Sequence, residues 1–193
     1  MGIISKEKNN LRNFFVANRH AVFVVLIIVF GIFIRVIEFG TLPAGLNQDE
    51  AYAGYEAYSL LHYGTDSFGY HNPCYFTAWG SGMNVLESYL AIPFIKLFGL
   101  SVISFRLPQL ICACISLPVF YFLLKELFDG RHAMTGLALL SICPWHIMLS
   151  RWGLESNLAP AFLLFGFFFF VKGIRNNKLF ILSALMFGTA LYS

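Results

Sequence analysis

Charge is what this sequence has least of. Asp, Glu, Lys and Arg make up 12% of its 193 residues, about half the share found in soluble globular domains. In their place 58% of the residues are hydrophobic and 18% aromatic, and the mean hydropathy is +0.70. This balance excludes an ordinary soluble domain and points to lipid as the solvent for much of the chain. The net charge is only +3, with no basic face and no interleaving of Arg with aromatics, so nucleic acid is excluded as a partner. Cysteine is also sparse, with Cys74, Cys112, Cys114 and Cys143 alone. No CxxC pair or Cys/His cluster is present, which excludes the common zinc frameworks. Three of the four lie inside apolar runs, where thiols pack as small hydrophobes, and no structural disulfide is expected.

What the sequence does have is long apolar runs. Residues 21–34 are uncharged, and with the extension to Phe39 they approach the ~20 residues that cross a hydrocarbon core. Arg35 and Glu38 are placed to snorkel at the end of this run. Lys6, Lys8, Arg12 and Arg19 precede it, but no small-x-small cleavage site follows, so an uncleaved first span is expected. Later runs lie at 85–99, 107–124, 133–150, 157–171 and 179–193. The 85–99 run is short and carries Glu87, Pro93 and Lys96, which suits a helix lying at the interface better than a span. With that run on the outer surface, Lys125, Arg131, Lys172, Arg175 and Lys178 join the N-terminal cations on one side. Only Arg35, Lys96, Arg106 and Arg151 remain opposite, as the positive-inside rule requires.

The expectation is therefore an all-α integral membrane bundle of about five spans in a multi-pass cell-membrane protein. Residues 1–20 form a cytoplasmic N-terminus and 21–193 one membrane domain, with 40–106 as a long outer loop. The chain is expected to continue beyond Ser193, because the last run is still apolar there.

Most acids fall on the outer side. Asp49-Glu50 opens a stretch to His62 that reads as an amphipathic helix, with Tyr52, Tyr55 and Ser59 on one face and Asp49 at its top. Asn47 and Glu50 have the spacing of a capping box, and acids in a first turn complement the helix dipole. A structural and a chemical reading of these acids stand side by side. A second feature is Arg151 with Glu155, four residues on. These two either pair with each other or form a site at the mouth of the bundle, on the same side as Asp49. Likewise Arg35 either pairs with Glu38 or is free for an anion. Trp145 suits an interfacial anchor, and His146 a packed polar residue.

Taken together these positions resemble the polyprenyl-phosphate-sugar glycosyltransferases of the GT-C fold, in the protein O-mannosyltransferase and aminoarabinose-transferase branch. The resemblance is carried by Pro43-x-Gly45 before Asp49-Glu50-Ala51, by Ser59-Leu-Leu-His-Tyr-Gly64, and by Leu97-Phe-Gly99 followed by Arg106-Leu-Pro108. It continues through Lys125-x-Leu127-Phe128 and Pro144-Trp-His-Ile-Met-Leu-Ser-Arg151 with an acid four residues on.

The resemblance implies a GT-C transmembrane bundle with juxtamembrane helices in the first outer loop. It also implies Asp49 as the catalytic carboxylate, with Glu50 beside it, and Glu155 as the second outer-loop acid. The donor would be a polyprenyl-phosphate-linked sugar, and the acceptor a hydroxyl on a protein, a lipid or a cell-envelope glycan. Asp49 would take the acceptor's proton. Arg35, Arg106 and Arg151 are the outer-side cations for the donor phosphate, and Tyr52, Tyr55 and Trp79 are candidates to stack on a sugar. A divalent cation, if one takes part, would fall to Asp49 and Glu155. The aminoarabinose-type acid plus Lys-Pro-Pro is replaced here by Ala78-Trp-Gly-Ser-Gly-Met-Asn84, which removes one source of metal ligands. This stretch alone is expected to be inactive. The other readings of the same acids are a fragment of a secondary transporter or flippase, with the acids on an ion path, and a non-catalytic interaction protein. Charges gathered at one face rather than at the midplane favour the enzyme.

Overall fold

The structure, a computed structural model, describes residues 18–193. Lys6, Lys8, Arg12 and almost all of the expected cytoplasmic N-terminus lie outside the described residues. The described chain is a bundle of helices with one short hairpin. In order these are α1 (Arg19–Val36), α2 (Gln48–Tyr63), β1 (Phe76–Ala78), β2 (Ser81–Met83), α3 (Leu86–Phe98), α4 (Val102–Leu127), α5 (Gly130–Ile142), α6 (Pro144–Leu149), a 3-10 turn (Glu155–Asn157), α7 (Ala159–Gly173) and α8 (Leu179–Ala190).

Among the described residues three stretches are long and apolar enough to cross a membrane: α1, α4 and the stretch Glu155–Gly173 made of the 3-10 turn and α7. The expected first and second spans are thus present as continuous α-helices, and the fourth as α7 preceded by the 3-10 turn. The third, expected over 133–150, is broken at Cys143. Pro144, the first residue of α6, has no N–H to continue the ladder of α5. The fifth is α8, of 12 residues, or ~18 Å of helix. α3 is likewise short, with 13 residues, so by length it does not span. This agrees with its reading as a juxtamembrane helix.

Two cores hold the bundle. One joins α1, α4 and α5 through Val24, Leu117, Tyr121, Ala133 and Leu137. The other lies under the long loop, where α2, the hairpin and α3 meet around Ala53, Ala57, Phe76, Val85, Ala91 and Phe105. Burying a side chain of this kind contributes roughly 1.5–3 kcal/mol. On α1 and α4 the large apolar side chains Phe23, Val29, Phe33, Ile111 and Ile115 are exposed, as suits helices that face lipid.

The two ends of the bundle differ. At one end Glu126, at the close of α4, pairs with Lys172 and with Arg175 at 2.8 Å. This brings the loops 125–132 and 172–178 to the same end. At the other end lies the segment 37–101. Its backbone is held by buried acids: Glu56 accepts from the N–H (2.8 Å) and hydroxyl of Ser67, and Asp66 accepts from the N–H groups of Phe68 and Tyr70.

Candidate active site

The site is built on the N-terminus of α2. The capping box expected from Asn47 and Glu50 is formed in both directions, and Gly64 closes the helix in the left-handed conformation, which glycine adopts without Cβ strain. Within this frame Asp49 and Glu50 separate completely. Asp49 is half-buried and its carboxylate makes no hydrogen bond among the described residues. Glu50 is 1% exposed, and both its oxygens are engaged. Oε1 accepts from Arg106 Nε at 2.7 Å and from the Gly153 N–H at 2.8 Å. Oε2 accepts from Arg106 Nη2 at 2.8 Å and from the Asn47 N–H at 3.2 Å. The neighbour in sequence is thus the counter-ion of a bidentate pair, a strong and directional geometry.

Arg106, also fully buried, donates further to the carbonyls of Pro43 (3.1 Å) and Gly45 (2.8 Å). One guanidinium therefore pins the turn before α2, the first turn of α2 and α4 together. Gly153 closes the cluster because nothing larger fits. A Cβ there would lie 2.8 Å from the Phe105 ring and 3.4 Å from Glu50 Oε1.

Glu155 comes to the same region from the far side of the sequence. Its carboxylate accepts a short hydrogen bond from the backbone N–H of Asn84, and Asn84 Nδ2 donates to the Ser193 carbonyl at 3.0 Å. Burial pushes the Glu155 carboxyl up from its ordinary range. The Asn84 N–H opposes that shift, and the nearby charge of Asp49 adds to it. The Gly153 N–H to Glu50 hydrogen bond brings the segments that carry Asp49 and Glu155 to the same end of the bundle. The expected Arg151–Glu155 pair does not form, because the chain from Arg151 to Leu154 is not helical and the i,i+4 neighbourhood is lost.

Arg151 instead donates from Nη2 to the carbonyls of Ile34 and Ile37, the latter at 2.6 Å. It caps the C-terminal end of α1, and its buried Nε has no partner. Arg35 neither snorkels nor pairs with Glu38. It is fully buried, and its N–H groups go to Gly31 O (2.7 Å), Ser141 O (3.1 Å), Leu140 O (3.0 Å) and His146 Nδ1 (2.8 Å from Nη2). The Ser141 carbonyl loses its helical partner at the break before Pro144 and takes the arginine instead, while the Leu140 carbonyl, which also accepts from the Cys143 N–H at 3.3 Å, gains a second donor. A guanidinium only donates, so His146 accepts at Nδ1 and carries its proton on Nε2. His146 is, as expected, a packed polar residue. Of the three cations proposed for a phosphate, Arg35 and Arg106 are occupied by the protein, and Arg151 keeps Nε and Nη1 unpaired.

The aromatic face of α2 also divides. Tyr52 bonds the Thr77 carbonyl at 2.7 Å and lies edge-on to Phe76, with Trp79 6.4 Å away between ring centroids. Tyr55 instead lines a separate cavity of about 420 Å³ with Leu46, Leu100 and Phe105, and Ser59 is buried. Tyr52 and Trp79 are thus brought together and Tyr55 is not. Trp79 remains 70% exposed, a platform open to solvent.

Two contributors carried no readable signal, the N–H groups of Asn84 and Gly153, and Glu87, visible as a charge in the short apolar run, gave no sign of its burial. Glu87 is 1% exposed and neither oxygen has a partner. Burial first, and the charge of Glu50 second, push its carboxyl well above the ordinary range, which favours its neutral form. Among the described residues no group of three His, Cys, Asp or Glu side chains is placed to hold a metal ion.

No curated protein and no solved structure matches the chain significantly. A family model does, that of the dolichyl-phosphate-mannose-protein mannosyltransferases, over residues 85–193. That match covers α3 through α8, including Arg106, Arg151 and Glu155, and leaves the Asp49 helix outside it. The chain therefore belongs to the dolichyl-phosphate-mannose-protein mannosyltransferase family, and is part of a membrane glycosyltransferase of the GT-C type.

Proposed function

We propose that this chain is the N-terminal part of the catalytic membrane domain of an inverting glycosyltransferase. It moves a sugar from a polyprenyl-phosphate donor to an acceptor hydroxyl at the outer face. The observation that carries the reading is that the Glu50–Gly153 hydrogen bond brings to one end of the bundle two half-buried carboxylates, Asp49 in the first turn of α2 and Glu155 held by the Asn84 N–H.

In a single displacement the acceptor oxygen attacks the anomeric carbon as the bond from that carbon to the phosphate oxygen breaks. The acceptor's proton passes to Asp49, the sugar leaves with inverted configuration, and polyprenyl phosphate departs as the anion. Asp49 suits the base because its carboxylate makes no hydrogen bond among the described residues and stands in the first turn of α2, where the Glu50–Gly153 contact brings in the segment that carries Glu155. Glu155 orients the acceptor hydroxyl. Glu50 and Arg106 act as positioning residues, fixing the α2 N-terminus so that Asp49 does not move. Arg151, with free N–H groups, receives the departing phosphate. Trp79 and Tyr52 offer the sugar an aromatic face. By its family name the donor is dolichyl-phosphate mannose and the acceptor a protein. Both carry over here as proposals, as does the placing of Lys125–His132 and Lys172–Lys178 on the cytoplasmic side. Any metal would have only Asp49 and Glu155 as ligands, and the displacement above needs none.

The test is transfer by the full-length protein in vesicles from a radiolabelled polyprenyl-phosphate sugar to a Ser- or Thr-bearing peptide. Product with inverted anomeric configuration is expected. Product with retained configuration, or transport of the donor without product, refutes the reading.

A further inference from the structure

The hairpin in the 37–101 segment leaves one edge open. Trp79 and Gly80 have φ of 51° and 79°, the two positive values of a type I′ turn. The hydrogen-bonded pairs are therefore Ala78–Ser81 and Phe76–Met83, and between them Thr77 and Gly82 turn their backbone groups to the two outer edges. On the β1 edge the Thr77 carbonyl is taken by the Tyr52 hydroxyl at 2.7 Å. On the β2 edge Gly82 is exposed, and neither its N–H nor its carbonyl has a partner among the described residues. A donor and an acceptor side by side on an extended backbone match another extended backbone. The exposed Tyr75 ring lies close by, 3.3 Å from where a Cβ at Gly82 would stand, and offers an apolar surface to a side chain of a paired strand.

The same edge carries Glu155. The Met83 carbonyl faces Phe76 in their pair, and across a trans peptide the Asn84 N–H points the opposite way, to the open edge. There it donates to the Glu155 carboxylate, which thus stands where the next carbonyl of a third strand would be. We propose that the acceptor is an extended peptide that pairs antiparallel with β2 at Gly82 and leaves the ladder at Glu155. One residue of such a strand satisfies both Gly82 groups. The residue two places before it in the peptide lies about 7 Å along the edge, opposite Asn84, and brings its hydroxyl to Glu155. The inference rests on the proposed function and adds how the acceptor is held, through its backbone.

The test uses the full-length protein in vesicles and a peptide with a single Ser or Thr. N-methylation of the second residue after the hydroxyl-bearing one removes the N–H that donates to the Gly82 carbonyl. It should lower kcat/KM for the peptide by about tenfold or more, the scale of a lost backbone hydrogen bond. N-methylation of the first residue after it, whose N–H faces away from β2, should leave kcat/KM nearly unchanged. In parallel, Gly82→Pro removes the N–H on the protein side and should fall well below Gly82→Ala, which keeps that N–H and meets Tyr75 in the same way. An equal response to the two N-methyl positions, in a wild-type protein that glycosylates the plain peptide, overturns the inference and leaves the proposed function standing. So does transfer confined to lipid or glycan hydroxyls, or equal activity of folded Gly82→Pro and Gly82→Ala. Wild-type protein that transfers nothing from any polyprenyl-phosphate sugar takes both readings down. The N-methyl series does not depend on the variants, so a misfolded Gly82→Pro leaves the inference decided by it.

Discussion

Removing Arg106 should damage the fold of the 37–101 segment before it damages the chemistry. Arg106 and Glu50 are both fully buried and joined by two contacts of 2.7 and 2.8 Å, and Arg106 alone ties down Pro43 and Gly45. Arg106→Met leaves a carboxylate in the core with only the N–H groups of Gly153 and Asn47 as partners. Breaking one side of a buried pair costs about 3–5 kcal/mol, which is roughly two to three and a half orders of magnitude in the local folding equilibrium. In the full-length protein this should appear as rapid protease cleavage at residues 40–47, and as a lower thermal midpoint in detergent. The double variant Glu50→Leu, Arg106→Met removes both charges and should recover a large part of that loss, because an apolar pair of similar volume often replaces a buried ion pair at little cost. Activity should not recover, because the α2 N-terminus has lost its capping box. An Arg106→Met protein with wild-type stability and a protected loop would refute the positioning role.

Three further outcomes follow from the same geometry. Glu155→Gln keeps the Asn84 contact but removes the charge, and should reduce turnover substantially at unchanged expression; wild-type activity would leave Glu155 a purely structural group. Burial raises the Glu87 carboxyl well above the ordinary range, so above that range the folded state binds more proton than the unfolded one, and stability falls as pH rises through the raised value. Glu87→Gln should therefore match wild type in acid and exceed it at pH 8 in thermal midpoint, and a less stable variant at pH 8 would contradict this. For the proposed orientation, Cys74, exposed in the 37–101 segment, should react with an impermeant thiol reagent outside intact cells, whereas Arg131→Cys in a Cys74→Ser background should not; the reverse pattern inverts the topology.

Much of this was legible in the sequence where the cause is local. The capping box of α2 follows from an Asn and a Glu three residues apart, and the shortness of α3 from its charges and Pro93. The partners of buried charges were not legible, because they are set by packing between distant segments. Arg106 meets Glu50 across 56 residues and Arg35 meets His146 across 111, and no periodicity reports such a meeting. The Arg151–Glu155 spacing suggested a helical pair, but the chain there is irregular. Pro144 was a visible signal of a break in the third span, overridden by the apolar run around it. The α2 face was read at helical spacing alone. The hairpin then took Tyr52, and the Leu46–Phe105 cavity took Tyr55.

The central claim is that Asp49 is the base, and it is tested most directly by Asp49→Asn in the full-length protein. The amide keeps the size and loses the charge, and it leaves Glu50, Arg106 and the cap in place. The account predicts normal insertion and thermal stability with transfer from a polyprenyl-phosphate sugar reduced by about 10²–10⁴-fold, the range for loss of a general base. Near-normal transfer by a folded Asp49→Asn protein would contradict it.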